Sequence, residues 1–400
     1  MTRTVRPPRV LVTGHPNTVI HNQLVYIRLA DRGWDVSIVV PNRWADDYTP
    51  DGYTPQCLEG FTGRFGRARI VKPGDIQKHT YVSPLTRWIR EPHRPDVIFL
   101  EHEAFSVSAL QWGQLAWRHG IPWGVQGDEN LDRPLPWPAK VIRALTIPRL
   151  DFIAARSPGG ADQLRDWGAT APADVVPHTI PEWDQPPRRD GGAGGKVFTI
   201  GFAGRLIEQK GIRDLIAAVA RLDFPFRFLV AGNGPLRDHL ATADLGQGTL
   251  ELVPPNQRPD DLPRWYAEMD VLVLPSRTQP TWAEQFGKVL AEALLCGTPV
   301  IGSSSGAIPW VIELTGGGRV FPEGDDVALA GILAEYHADP ALRARLAETG
   351  RANVVEHLLP RAAAEKLDHL MRDAIARGPS ARLTSRRPPP SRRGATASAS

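Results

Sequence analysis

The chain has 400 residues, too many for one ordinary hydrophobic core and enough for two domains of roughly 150–200 residues each. With 42% hydrophobic and 23% charged residues it falls among ordinary globular chains, which excludes a disordered or fibrous protein. Its net charge of +3 becomes −2 once Arg382, Arg386, Arg387, Arg392 and Arg393 are set aside, so the charge balance gives no reason to expect a nucleic-acid partner.

Strand-like and helix-like segments alternate along almost the whole chain, the pattern of a parallel sheet with helices on both faces. Residues 9–13 read as a strand, 19–32 as an amphipathic helix and 34–40 as a second strand. Residues 41–95 are irregular and turn-rich. A buried-strand run over 96–101 precedes a helix over 105–119, a strand over 122–126 and a helix over 138–150. A strand over 151–155, a helix over 158–167 and a strand over 174–176 complete the first half. Pro186, Pro187, Gly191, Gly192, Gly194 and Gly195 then mark 181–196 as a linker. The alternation restarts at 197–203, with further strands over 226–231, 271–275, 299–302 and 319–321 and helices over 325–338, 340–355 and 360–376.

The expected fold class is therefore α/β, with two Rossmann-like, doubly wound domains over 1–180 and 197–359. Such sheets bind ligands beyond the carboxyl ends of their strands, so two of them suit a reaction between two separately held substrates. The stretch 378–400, rich in Arg, Pro and Ser, reads as a disordered tail. Cys57 and Cys296 lie far apart, which gives no disulfide framework and no metal-ligand spacing and points to a reducing cytoplasm. The polar start lacks the apolar stretch of a signal peptide, and no run of about 18 apolar residues offers a membrane span. A peripheral attachment stays open.

Three segments of the second half carry the chemistry. Gly204-Arg205-Leu206-Ile207-Glu208-Gln209-Lys210-Gly211 joins a strand to a helix, where free backbone N–H groups and a helix dipole favour an anion. Arg205 and Lys210 add two full charges suited to a pyrophosphate, although on spacing alone they are equally two basic residues on an exposed turn. Phe228-Leu229-Val230-Ala231-Gly232-Asn233-Gly234-Pro235 places glycines directly after a strand. Glu284 and Glu292 stand just over two helical turns apart, which would put both near one face of a helix. A mid-helix carboxylate such as Glu292 needs a partner, either a pair of ribose hydroxyls or an arginine such as Arg205.

Together with Cys296-Gly297-Thr298-Pro299-Val300-Ile301-Gly302 and Gly306-Ala307-Ile308-Pro309, these segments resemble the retaining family 4 glycosyltransferases of GT-B fold. The resemblance covers most of 197–320. It implies that Arg205 and Lys210 hold the donor diphosphate, Glu284 hydroxyls of the transferred sugar and Glu292 the ribose. Backbone amides at Phe286 and Gly287 would cradle sugar and phosphate, and a last helix over 360–377 would cross back to the first domain. Trp310 stands where such sequences usually carry Glu, and His178 where Asn is commoner; both bear on pocket shape.

In the first half, Thr13-Gly14-His15-Pro16-Asn17 is not the dinucleotide fingerprint, which removes the main support for a dehydrogenase. Gly14 fits a close approach to the donor phosphate or a plain turn. Glu101-His102-Glu103 ends a buried strand, where active sites form. By resemblance His102, with Glu103 beside it, lies near the transferred sugar; otherwise this is a solvated loop. Asp128 ends the next strand, where it either faces the cleft or caps the turn that follows. Between 61 and 94 eight basic residues face only Asp75 and Glu91, with Phe61, Phe65, Tyr81 and Trp88 interleaved. That patch suits an anionic acceptor or membrane surface, or is a solvated face over buried aromatics.

The expected function is retaining, metal-independent transfer of a hexose-type sugar from a nucleotide diphosphate sugar to an acceptor hydroxyl. No Asp-x-Asp metal motif is present, so Arg205, Lys210 and a helix end would neutralise the leaving phosphate, with no further cofactor. Residues around 253–258 and 302–309 would shape the base and sugar pocket. The alternatives are a nucleotide-sugar epimerase or hydrolase on the same fold, and a silent nucleotide-sugar binder.

Overall fold

The computed structural model describes residues 6–46, 49–132, 134–183, 197–254 and 261–380. Most of the expected linker, the tail beyond 380 and most of the 253–258 pocket segment lie outside the described residues.

The first domain consists of β1 (Arg9–Thr13), α1 (Leu24–Asp31), β2 (Asp35–Pro41), β3 (Arg64–Ala68), the short hairpin β4 (Ile70–Val71) and β5 (Thr80–Tyr81), β6 (Val97–Leu100) and α2 (Val107–Arg118). It continues with β7 (Trp123–Gly127), α3 (Trp137–Thr146), β8 (Phe152–Ala155), α4 (Pro158–Asp166) and β9 (Ala173–Val175). Seven parallel strands form one sheet in the order β3-β2-β1-β6-β7-β8-β9. The order reverses direction between β1 and β6, and the crevice that opens there is where ligands bind in such sheets.

The second domain repeats the plan. It comprises β10 (Phe198–Ala203), α5 (Ile212–Val219), β11 (Phe226–Ala231), α6 (Arg237–Ala241), β12 (Gly248–Leu252), α7 (Leu262–Glu268) and β13 (Val271–Leu274). After these come α8 (Lys288–Leu295), β14 (Val300–Ser303), α9 (Ile308–Thr315), β15 (Gly318–Phe321), α10 (Asp326–Ala338), α11 (Pro340–His357) and α12 (Pro360–Arg377). Its six strands are parallel in the order β12-β11-β10-β13-β14-β15, with the reversal between β10 and β13.

Each sheet is covered on both faces, which is why its strands read as near-continuous apolar runs. In the first domain α2 packs on one face through Ala109, Trp112 and Ala116. The other face is shared by α1 and α12, which brings Ala363, Leu367 and Met371 against Val10, Tyr26 and Phe99. Trp34 Nε1 donates to Asp368 at 2.6 Å and Lys366 Nζ to the Val175 carbonyl at 2.7 Å, so the last helix is tied to the first domain by polar as well as apolar contacts.

Two expectations need correction. The helix expected over 19–32 begins only at Leu24; two 3₁₀ turns precede it, because Asn17, Asn22 and Gln23 bond to neighbouring loops. The stretch taken as irregular contains β3, which joins the main sheet as an edge strand. Trp88 is only 6% exposed, with Arg64 and Arg87 guanidinium groups 4.4 and 4.9 Å from its ring centroid, and Tyr81 is buried too. Trp88 and Tyr81 therefore belong to the core and Phe61 and Phe65 are half-buried against it, in keeping with the reading of a solvated face over buried aromatics.

Candidate active site

The second domain brings two of the expected residues into contact. Lys210 closes a 3₁₀ turn between β10 and α5, and its Nζ lies 2.6 Å from Glu284 Oε2. Ser276 Oγ donates to the same oxygen at 2.8 Å, and the Trp282 ring centroid is 5.2 Å from the ammonium. Glu284 is 7% exposed, so cation and hydroxyl together meet the cost of burying its carboxylate. Arg205 is half-buried on the turn that follows β10.

Glu284 does not start a helix. Gly287, at φ 78°, interrupts the run, and α8 opens only at Lys288. Glu284 and Glu292 therefore do not share a helix face. The Glu284 carbonyl is instead held by Ala307 N at 2.9 Å and by Asn130 Nδ2, from the first domain, at 3.0 Å. Gly306 makes this possible: at φ 52°, a Cβ there would sit 2.0 Å from the Glu284 oxygen. Gly306→Ala is expected to push Glu284 away from Lys210 and, if the pair has the role the resemblance implies, to weaken nucleotide-sugar binding about tenfold or more by calorimetry, with secondary structure kept.

Glu292 sits within α8 and accepts from Tyr266 Oη at 2.7 Å, not from an arginine; burial holds its carboxyl above the usual range. Phe286 is buried between the His178 and Trp310 rings, at 5.5 and 6.2 Å between centroids. The amides around Phe286 and Gly287 precede the first turn of α8, where backbone donors lack intrahelical partners. Both departures noted in the sequence, His178 and Trp310, thus flank the same ring.

Across the cleft, Gly14 has a local reason. A Cβ there would meet Glu101 Cβ at 2.6 Å and the Glu101 carbonyl oxygen at 2.7 Å, so the ends of β1 and β6 can approach only with glycine at this position. His102 is 2% exposed, not on a solvated loop. Its ring centroid lies 5.2 Å from His79 and 6.0 Å from His15, and Trp44 stacks on His15 at 5.1 Å. His15 Nδ1, His79 Nε2 and both nitrogens of His102 are buried without a hydrogen-bond partner. Burial and mutual repulsion lower His102 far below the usual imidazole value and His15 to about 3. Among the described residues no group of three or more His, Cys, Asp or Glu could hold a metal ion.

This cluster gives an acid-sensitive stability. A buried imidazole whose folded pKa is depressed favours folding above its unfolded value near 6.5, and that stability drains as pH falls from there toward 3. His15→Gln should therefore cost stability at pH 7.5, and its gap to wild type should narrow by about 2 kcal/mol by pH 5 in denaturant titrations.

Beside the histidines lies an ion network whose central cation, Arg156, sequence reasoning did not single out. Arg156, at the end of β8, donates to Glu101 Oε1 at 2.8 Å, and its Nε is 3.9 Å from Asp128 Oδ1. Asp128 is no helix cap: it pairs with His178 Nε2 at 2.9 Å, and that pairing helps hold its carboxyl below the usual range. Glu103 Oε1 accepts the amides of Asp128 at 2.8 Å and Glu129 at 3.0 Å. Burial and the Asp128 charge push Glu103 well above the ordinary carboxylate range. His178 thus links Asp128 of the first domain to Phe286 of the second.

Residues 197–339 match the family model described as glycosyl transferases group 1. The match falls within the second domain. Over 152 residues the chain is 34% identical to a lipopolysaccharide core biosynthesis glycosyltransferase, LpsE, of Rhizobium meliloti, an alignment covering 38% of this chain and 43% of that one. It is 32% identical over 270 residues to D-inositol 3-phosphate glycosyltransferase 1 of Catenulispora acidiphila, covering 60% of this chain and 62% of the relative. The chain thus spans less than two thirds of either relative. Beyond residues 197–339 the likeness extends to the whole fold. Sucrose-phosphate synthase from Thermosynechococcus elongatus superposes with TM-score 0.68 at 22% identity, over 93% of this chain and all (100%) of that one. HepE of Anabaena in complex with UDP superposes with TM-score 0.67 at 16% identity, over 92% and 100%. The architecture is GT-B.

Proposed function

We propose that this protein is a glycosyltransferase that moves a hexose-type sugar from a nucleotide diphosphate sugar to an acceptor hydroxyl, with retention at the anomeric carbon and without a metal ion. The observation that carries the reading is the Lys210–Glu284 pair at the carboxyl ends of the second sheet's strands, tethered through Asn130 to the first domain. Group 1 relatives named as glycosyltransferases, and a neighbour solved with UDP, support it.

In this mechanism Arg205 and Lys210 bind the diphosphate and compensate the negative charge that grows on the β-phosphate as the anomeric C–O bond breaks. Glu284, fixed by Ser276 and Lys210, accepts hydroxyls of the sugar; Glu292 takes the ribose. The acceptor oxygen attacks from the side the phosphate leaves. Its proton passes to the departing phosphate oxygen, so no protein nucleophile is required. His102, neutral and buried, orients the sugar. The reaction takes place on the cytoplasmic side, and residues 61–94 touch an anionic membrane surface through exposed Arg67, Arg69, Lys72 and Lys78 beside exposed Val71, Ile76 and Val82.

Thermal shift against uridine, guanosine, adenosine and thymidine diphosphate sugars tests the donor. One of them should raise the melting temperature, and release of nucleoside diphosphate should then require an acceptor and survive EDTA. Turnover without acceptor would favour an epimerase or hydrolase; binding with no release under any acceptor would favour a silent binder. Equal recovery with neutral and anionic liposomes at low salt would remove the membrane contact.

A further inference from the structure

Helix α3 is turned inside out. Its buried positions are Ala139 and Thr146, whereas Trp137, Val141 and Leu145, spaced four apart on one face, are 76%, 44% and 40% exposed. An ordinary amphipathic helix of a globular domain buries its apolar stripe, and a helix that presents it to solvent has that stripe for another phase or partner. The charges identify which. From residue 134 to residue 150 the described sequence holds Lys140, Arg143 and Arg149 and no acid. Lys140 is exposed on the flank of the stripe, while Arg143 and Arg149 lie over the Trp167 and Trp117 rings at 4.8 and 5.2 Å. A tryptophan at one end, aliphatic residues behind it, an exposed lysine alongside and no acid in the segment make the composition of a helix lying in the plane of an anionic bilayer.

We propose that the outward face of α3 docks on an anionic lipid surface, with Trp137, Val141 and Leu145 entering the headgroup boundary and Lys140 meeting lipid phosphates. Because α3 follows β7, its amino end, with Trp137, stands at the edge of the sheet on which the cleft opens. Asn130, in the same connection, reaches Glu284 at 3.0 Å. Docking there brings lipid headgroups to the mouth of the cleft; this last consequence rests on the transferase reading, whereas the docking itself does not. The surface is separate from the 61–94 segment and is carried by different residues.

The experiment compares the full chain with Trp137→Ser/Val141→Ser, with Lys140→Glu and with Lys72→Glu/Lys78→Glu in the hairpin. Each is sedimented with vesicles of phosphatidylcholine and phosphatidylglycerol in equal parts and with phosphatidylcholine alone. The wild type should pellet with the anionic vesicles, and both α3 variants should lower its partition about tenfold or more. Melting temperature and UDP binding, measured on the same samples, should stay unchanged, which separates a failed docking surface from a failed donor site. Undiminished pelleting of the α3 variants, loss confined to the hairpin variant, or a wild type that leaves vesicles unbound would overturn the proposal. So would self-association of the wild type that the Trp137→Ser/Val141→Ser change abolishes, since the stripe would then cover a second copy.

Discussion

Replacing Lys210 by glutamine is expected to slow sugar transfer by about 10²–10³-fold while the melting temperature moves by only a few degrees. The reasoning turns on which half of the Lys210 interaction survives. The ammonium lies 2.6 Å from Glu284 Oε2, and both side chains are largely buried, so alanine would leave a carboxylate with Ser276 as its remaining partner. Glutamine keeps a donor in reach of that oxygen and removes only the charge. Stability then changes little, because a hydrogen bond replaces a pair whose desolvation cost was itself large. Transfer changes much, because in the proposed reaction the lost charge acts on the leaving phosphate, where negative charge is greatest in the transition state. The rate constant at saturating donor should fall more than donor affinity does. Near-normal turnover would detach Lys210 from the leaving group.

How far the molecule could be read from its sequence follows from where each element sits. The central strands β1, β6, β10 and β13 are buried on both faces, and each reads as a continuous apolar run. Of the strands that were missed, β3 and β12 are the outermost members of their sheets on one side, and β4 and β5 form a hairpin only two residues deep. Arg-Phe-Gly-Arg-Ala and Gly-Thr-Leu-Glu-Leu are mostly half-exposed, so neither shows a buried run. The start of α8 was misplaced because spacing alone cannot show that Gly287 takes a left-handed conformation. Residue order could place Lys210 and Glu284 in one motif set, yet it could not show the ion pair. His15, His79 and Arg156 were invisible for a different reason: each stands alone in the chain, and only the convergence of β1, β5, β6 and β8 brings them together. No local signal could have found them.

Arg156→Met is expected to destabilise the first domain by about 3–5 kcal/mol, the cost of leaving buried charge without its partner. Glu101 is nearly fully buried and accepts from Arg156 at 2.8 Å, while Arg156 Nη1 also donates to the carbonyls of Val176 and Pro177 at 3.2 and 3.3 Å. Lysine, with no planar fork, cannot serve all these acceptors from one position, so Arg156→Lys should recover only part of the loss. Even with arginine present, burial outweighs the cation and holds the Glu101 carboxyl above its usual range. Removing the cation raises it further. A carboxyl whose folded pKa is raised opposes folding above its unfolded value and ceases to do so as it protonates in both states. The Arg156→Met deficit should therefore shrink between pH 8 and pH 5, and Glu101→Gln in the same chain should restore stability at pH 8. Denaturant unfolding of the single and double variants at the two pH values checks this. A deficit that is independent of pH and untouched by Glu101→Gln would mean that Arg156 acts through its carbonyl contacts and its packing rather than through the carboxylate.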